Sequence, residues 1–265
     1  MSSTPPSPPG WPGLAPRWTS SAKTGVGTAA LDSSRVWFTI SHGIINEVYY
    51  PGVDQANTRD LGLLVADGVD FFSEEKRDTD HTVEPLASGV PGYRLVNTCR
   101  EGRYQIDKTV FTDTLWDALV QQVRFRPLQG SLGDYLLFAL LAPHIDNGGA
   151  GNNGWAGGYK GLPMLFAQRG STALALACST PFRAMSCGYA GFSDGWQDVS
   201  RHKQMLWTYR SAGDGNLGLI GEVDLAGSRG EFTLALGFGR TPVEAGERAR
   251  AAVLRGGDVM LRAYV

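Results

Sequence analysis

The feature that most constrains this chain is its punctuation. From Arg35 onward, short apolar or alternating runs follow one another, each stopped by a turn signal. Arg35–Ile40 is aromatic and β-branched, and Glu47–Tyr50 ends at Pro51-Gly52. Leu61–Ala66 and Phe71–Ser73 flank Asp67-Gly68, the dipeptide best suited to a tight hairpin. Tyr93–Cys99 and Tyr104–Phe111 flank Glu101-Gly102, and Leu165–Gln168 and Ala173–Cys178 flank Arg169-Gly170. In Ala118–Arg126, Val123 and Phe125 share one face while Gln122, Arg124 and Arg126 share the other. Tyr135–Ala142 is nearly all apolar and reads as a strand buried on both faces. Leu206–Arg210, Leu217–Asp224 and Glu231–Leu236 complete about thirteen or fourteen strands, with few gaps that could hold a crossover helix. The expectation is an all-β fold of large antiparallel sheets packed face to face. Glycine agrees: 35 of 265 residues is about 13%, against a usual ~7%, and helix interiors tolerate it poorly.

Two segments depart from this pattern. Residues 1–16 carry six of the fourteen prolines and read as a flexible arm. At the other end, Thr241-Pro242-Val243-Glu244 is a capping box with proline at the first helical position. Ala245, Ala249, Ala252 and Val253 then form an apolar stripe, and Gly256-Gly257 stops the helix. The expected division is an arm (1–16), a β-domain (17–240) and a connector helix (241–265).

Charge and cysteine content exclude several classes. A net charge of −2 gives no field to attract a polyanion, so a nucleic-acid partner is not expected. No apolar stretch is long enough to span a membrane, and no basic-then-apolar leader opens the chain. Three sparse cysteines, Cys99, Cys178 and Cys187, fit a reducing, cytoplasmic location, with a Cys178–Cys187 bridge left open. No metal-ligand spacing occurs and no cofactor is called for.

Three short matches fail on context. Gly25–Ala30 and Gly149–Gly154 fit dinucleotide patterns, but no helix opens after either. Gly191-Phe192-Ser193-Asp194-Gly195 fits a nucleophile elbow, followed by Asp198 and His202, yet no α/β alternation surrounds it. More informative is His144–Gly161, a glycine-rich stretch expected as a long loop carrying Trp155, Tyr159 and Lys160. Ser193–Asp198 is a second expected loop, with Trp196 and Asp198. Aromatic faces beside Asn, Asp and Lys suit a pyranose, and equally suit packing against another domain.

Blocks in fixed order add a resemblance. They include Lys23–Ala29, Ser34–Thr39, Gly43–Pro51, Arg59-Asp60-Leu61 and Phe71–Arg77. Leu141–His144, Gly158–Gly161, Ser193–Asp198 and Leu234–Gly239 complete the series. In order and context they resemble the N-terminal domain of prokaryotic glucoamylases and glucodextranases of glycoside hydrolase family 15. The resemblance implies a galactose-mutarotase-like β super-sandwich preceding an (α/α)6 barrel. In the family the barrel carries two catalytic glutamates and releases glucose from α-glucans with inversion. The chain ends at Ala263-Tyr264-Val265, so the barrel is expected to lie outside it and no catalytic residue carries over. Tyr50, Trp155, Tyr159, Trp196 and Asp198 are the candidates for carbohydrate or interdomain contact. The expected partners are the barrel and an α-glucan or maltooligosaccharide. Two alternatives stay open: a free-standing carbohydrate-binding domain, and a mutarotase-like epimerase using His144 with a nearby carboxylate.

Overall fold

A computed structural model describes residues 7–19, 22–262 and 264. Its strands begin with β1 (Gly25–Thr28), β2 (Trp37–Ser41), β3 (Ile44–Tyr49), β4 (Thr58–Ala66), β5 (Phe72–Glu74) and β6 (Thr79–Pro85). The middle of the chain supplies β7 (Tyr93–Cys99), β8 (Tyr104–Thr112), β9 (Ala118–Pro127), β10 (Leu136–Pro143), β11 (Asn152–Tyr159) and β12 (Leu162–Arg169). Then come β13 (Thr172–Cys178), β14 (Met185–Tyr189), β15 (Ser211–Gly215), β16 (Leu217–Val223) and β17 (Glu231–Gly239). The helices are α1 (Glu75–Asp78), α2 (Gly195–His202), α3 (Leu225–Ser228), α4 (Pro242–Arg255) and α5 (Gly257–Leu261). Among the described residues, no helix is long and apolar enough to cross a membrane.

The strands form two antiparallel sheets. The first runs β1-β2-β3-β4-β10-β16-β14, with β5 paired to β4; the second runs β15-β11-β12-β13-β17-β9-β8-β7-β6. Their inner faces enclose one large core that includes Phe38, Ile40, Leu95, Tyr104, Leu137, Leu176 and Phe238. The face-to-face antiparallel sheets expected from the strand series, and the β-sandwich implied by the resemblance, are what the chain forms.

The turn signals set register as expected. Asp67 closes the β4–β5 hairpin: its Oδ1 accepts from the amides of Val69, Asp70 and Phe71. Gly102 joins β7 to β8 with φ +70°, a conformation costly for a residue with a side chain. Elsewhere the structure corrects the sequence reading. The glycine-rich stretch after His144 is a loop only at its start; Asn152–Tyr159 is β11, paired along its length with β12. Ser193–Asp198 opens helix α2, with Asp194 as N-cap accepting from Trp196 and Gln197 amides. Leu206–Arg210 forms no strand; the strand begins at Ser211. Leu136, Leu140 and Ala142 of β10 are only half-buried, because part of the first sheet's outer face is open.

The proline-rich arm is also ordered where it is described. Pro12 O accepts from Asn216 N, Leu14 N donates to Ala190 O, and Pro9 O accepts from Ser193 Oγ. Proline restricts the chain before folding, so fixing it costs little entropy, and its free carbonyls then dock on a sheet edge. Residues 1–6 lie outside the described residues.

Between the sheets sits a fully buried ion pair. Lys108 Nζ lies 2.6 Å from Glu75 Oε1, and both side chains have no solvent exposure. Asn97 Nδ2 also donates to Glu75 Oε1, Leu63 N donates to Oε2, and Lys108 Nζ donates to Gly43 O. This cluster ties α1 and the β2–β3 turn to the second sheet.

Candidate functional site

The two outer faces of the sandwich differ. Helix α4 covers the second sheet through small residues on both sides. Ala245, Ala249 and Ala252 pack against Ala173, Ala175, Ala177 and Ala235. The approach is close: a Cβ added to Gly237 would stand 2.4 Å from Ala245 O and 2.5 Å from Ala249 N. Two ion pairs fix the helix to the β8–β9 turn. Arg248 lies 3.2 Å from Asp117, and Arg255 pairs with Asp113. Asp117 also binds Arg35 at 2.7 Å. Helix α4 is thus held to the second sheet by packing and by ion pairs.

The first sheet is covered only in part. Helix α2 packs on Leu64, Ala66, Phe138 and Ile220. A Cβ on Gly218 would stand 2.8 Å from Asp194 Cβ, so the bare glycine admits the helix start. Beside α2 the sheet opens into a cleft of about 640 Å³, within the usual range for a ligand site. Its aliphatic floor includes Ile44, Leu64, Leu140 and Leu217; the arm and Trp196 wall it.

The rim is polar and internally braced. Asp60 accepts from Thr19 Oγ1 (2.9 Å), Asn46 Nδ2 (2.9 Å) and Lys76 Nζ (3.0 Å). Glu74 accepts from Trp196 Nε1 (2.9 Å) and pairs with Arg77 (3.0 Å). Burial raises the Glu74 pKa above its ordinary value, against the pull of Arg77. Donors and acceptors alternating around an aliphatic floor make a binding surface for a neutral, hydroxylated ligand or for a partner's loop.

His144 lies near this region, 1% exposed, with Trp18 edge-on at 4.8 Å between ring centroids. Among the described residues, neither ring nitrogen has a partner of hydrogen-bonding geometry. Burial first, and Arg59 second, push its pKa down to about 4. Ser193 of the elbow-like pentapeptide is a structural hydroxyl: it accepts from Tyr189 N and donates to Pro9 O. Cys178 and Cys187 are free buried thiols, and burial raises Cys178 to about 12.

The five candidate contact residues do not share one surface. Trp196 lines the cleft, with its indole edge-on to Phe72 and Arg77 over its ring. Asp198, on the same helix, is 1% exposed and internally engaged. It accepts from the amides of Leu206 (2.9 Å) and Trp207 (2.7 Å), and lies 2.8 Å from His202 Nδ1. Tyr50 is 4% exposed, stacked on Phe238, and its hydroxyl accepts from Arg35 and Arg248. Trp155 stacks on Phe166 beneath α4, and Tyr159 lies against Gly246 of that helix. Tyr50 and Asp198 therefore serve internal packing, and Trp155 and Tyr159 seat α4. Sequence reasoning missed the Asp60–Lys76 rim and the two aspartate–arginine latches. No local sequence signal marks the latches, whose partners lie more than eighty residues apart.

Residues 8–265 match the family described as glucodextranase, domain N. A glucoamylase from Clostridium sp. (strain G0005) is 37% identical over 254 residues, which are 96% of this chain and 36% of that protein. The crystal structure of a bacterial glucoamylase complexed with acarbose superposes with a TM-score of 0.94 at 36% identity. The match covers 97% of this chain and 38% of that one. An α-N-acetylgalactosaminidase from Bifidobacterium bifidum (a quadruple mutant) shares the fold alone, at 12% identity and TM-score 0.52, over 88% of this chain and 39% of that one. The chain thus spans just over a third of the length of the glucoamylases it matches.

Proposed function

This chain belongs to the glucodextranase domain N family, and from that premise we propose that it is the non-catalytic N-terminal unit of a glucoamylase-like hydrolase. Its partner is an (α/α)6 catalytic barrel in the same polypeptide, and the substrate of the whole is an α-glucan. The observation that carries this reading is the 0.94 superposition on a bacterial glucoamylase across nearly the whole chain.

The geometry suits a supporting role. Helix α4 is held by an alanine seam and two ion pairs, so it transmits position to whatever it joins. A small-residue seam lets backbones approach closely and leaves little freedom to tilt. On the other face, Trp196 is the candidate whose position in the open cleft fits contact with a sugar or with a barrel loop. Cytoplasmic location is retained as part of the proposal, from the sparse free cysteines.

The test is glucose release from maltose or soluble starch by the 265-residue chain alone. The expected rate is that of the buffer. Sustained turnover by the chain would overturn the non-catalytic assignment.

A further inference from the structure

We propose that the cleft on the outer face of the first sheet holds a short, neutral glucose oligomer. This rests on the domain-N reading, which supplies the glucan, and adds the groups that take hold of it. The cleft measures about 640 Å³, and Ile44, Leu64, Leu140 and Ala142 lie along its floor. A pyranose presents C–H groups on its faces, and an aliphatic floor removes them from water.

The walls are set before a ligand arrives. Trp196 is pinned by its bond to Glu74 and by Phe72 edge-on to its indole. On the arm side, Leu14 N donates to Ala190 O, and Leu14 O accepts from Asn216 Nδ2 at 2.9 Å. Walls already in place spare the bound complex the entropy of ordering them.

The bonding capacity left over on the rim selects the ligand. Glu74 meets Trp196 Nε1 and Arg77 through Oε2; among the described residues, its Oε1 receives no hydrogen bond. Burial raises the Glu74 pKa, a cost that a hydroxyl donating to Oε1 offsets. Arg59, its side chain 33% exposed, has only a loose 3.4 Å pairing with Asp60. Gln197 Oε1 accepts from Arg201, which leaves its Nε2 hydrogens to donate. The cleft therefore offers an open carboxylate acceptor together with open donors. Sugar hydroxyls donate and accept at once, so one ligand satisfies both kinds. Formal charge gives little selection: Asp60 pairs with Lys76, Glu74 pairs with Arg77, and Asp194 caps α2. An anionic ligand would meet the free oxygen of Glu74 and be repelled.

Titration of the chain with maltotriose and with isomaltotriose, followed by amide and indole NMR, tests this. At least one of the sugars is expected to shift the Trp196 indole and the Gln197 and Gly218 amides saturably, with a Kd of about 1 mM or tighter. The sugar that binds identifies the linkage. The Trp155 indole, stacked on Phe166 beneath α4, is the unshifted reference. Ala142→Trp fills the floor and is expected to weaken binding at least about tenfold. Glu74→Gln keeps an oxygen for Trp196 Nε1 but loses the charged acceptor, and is expected to weaken binding about three- to tenfold with the amide spectrum otherwise intact. No saturable shift up to about 10 mM sugar overturns the site, as do shifts unchanged in both variants. Either result leaves the domain-N reading intact, because that reading is decided by glucose release. In a chimera where this chain replaces the matched region of the Clostridium glucoamylase, hydroxyl-radical oxidation of Trp196 at least about fivefold slower than in the chain alone assigns the cleft to a barrel loop and also overturns the proposal.

Discussion

Replacing Lys108 with methionine removes one charge from a site where neither partner touches water. Methionine matches the length of the lysine stem, so the packing loss is small and the electrostatic loss dominates. Glu75 then keeps two donors, Asn97 Nδ2 at 2.5 Å and Leu63 N at 3.0 Å, but no cation. Gly43 O keeps Asn97 Nδ2 at 2.9 Å. Breaking a buried pair from one side costs about 3–5 kcal/mol, because a charge is left uncompensated. Domains of ordinary stability hold ~5–15 kcal/mol in total, so the loss is a large fraction. Glu75→Gln strands Lys108 in the same way and is expected to cost a similar amount. The double variant Lys108→Met/Glu75→Gln leaves no charge behind and is expected to recover at least about 2 kcal/mol of the summed losses, as coupled buried neighbours do. Urea unfolding followed by tryptophan fluorescence and circular dichroism measures all four corners of the cycle. Single losses below about 1 kcal/mol, or additive losses, would refute a charge-specific role for the pair.

Other outcomes follow from the same structure. His144, whose pKa falls from 6.5 to about 4 in the fold, takes up its proton more readily when unfolded. Stability is therefore expected to rise between pH 4 and 6.5 by about 3 kcal/mol and to be unaffected by this group above 6.5; in His144→Leu that part of the slope should vanish from urea midpoints. Gly237→Val forces a side chain into the backbone of α4 and is expected to cost about 1–3 kcal/mol, with amide exchange of residues 242–255 rising more than that of β13. Asp117→Ala frees Arg35 and Arg248 together and is expected to lower stability by about 1–3 kcal/mol, while Asp80→Ala, at an exposed pair, leaves it within about 0.5 kcal/mol.

Much of this fold is legible residue by residue. Asp67-Gly68, Glu101-Gly102 and Arg169-Gly170 each close the hairpin they announce, because turn geometry is a local property. The α4 cap is equally local: Thr241 Oγ1 accepts from Glu244 N as its spacing implies. The misread segments depend on what lies across from them. Strand β11 carries too little side chain to advertise itself, and its pairing with β12 and β15 defines it. Helix α2 is only eight residues long and is held by the sheet beneath it. The arm is ordered by carbonyls that meet residues about two hundred positions away, such as Asn216 on Pro12. The candidate contacts were chosen by residue type, which finds aromatic rings without saying which way they face. Hence Trp196 reached the cleft while Tyr50 and Asp198 went inward. The Asp113–Arg255 latch spans 142 residues, beyond any local pattern.

The proposed role of this chain is that of domain N in a glucoamylase-like enzyme. The most direct measurement is glucose release from maltooligosaccharides by the chimera carrying this chain in place of the matched Clostridium region. It should be compared with the Clostridium protein lacking that region. Activity and thermal half-life in the chimera are expected to be close to those of the intact Clostridium enzyme, with both falling at least about tenfold in the truncated form, equivalent to about 1.4 kcal/mol. A chimera that folds in both parts yet performs no better than the truncated form would contradict it.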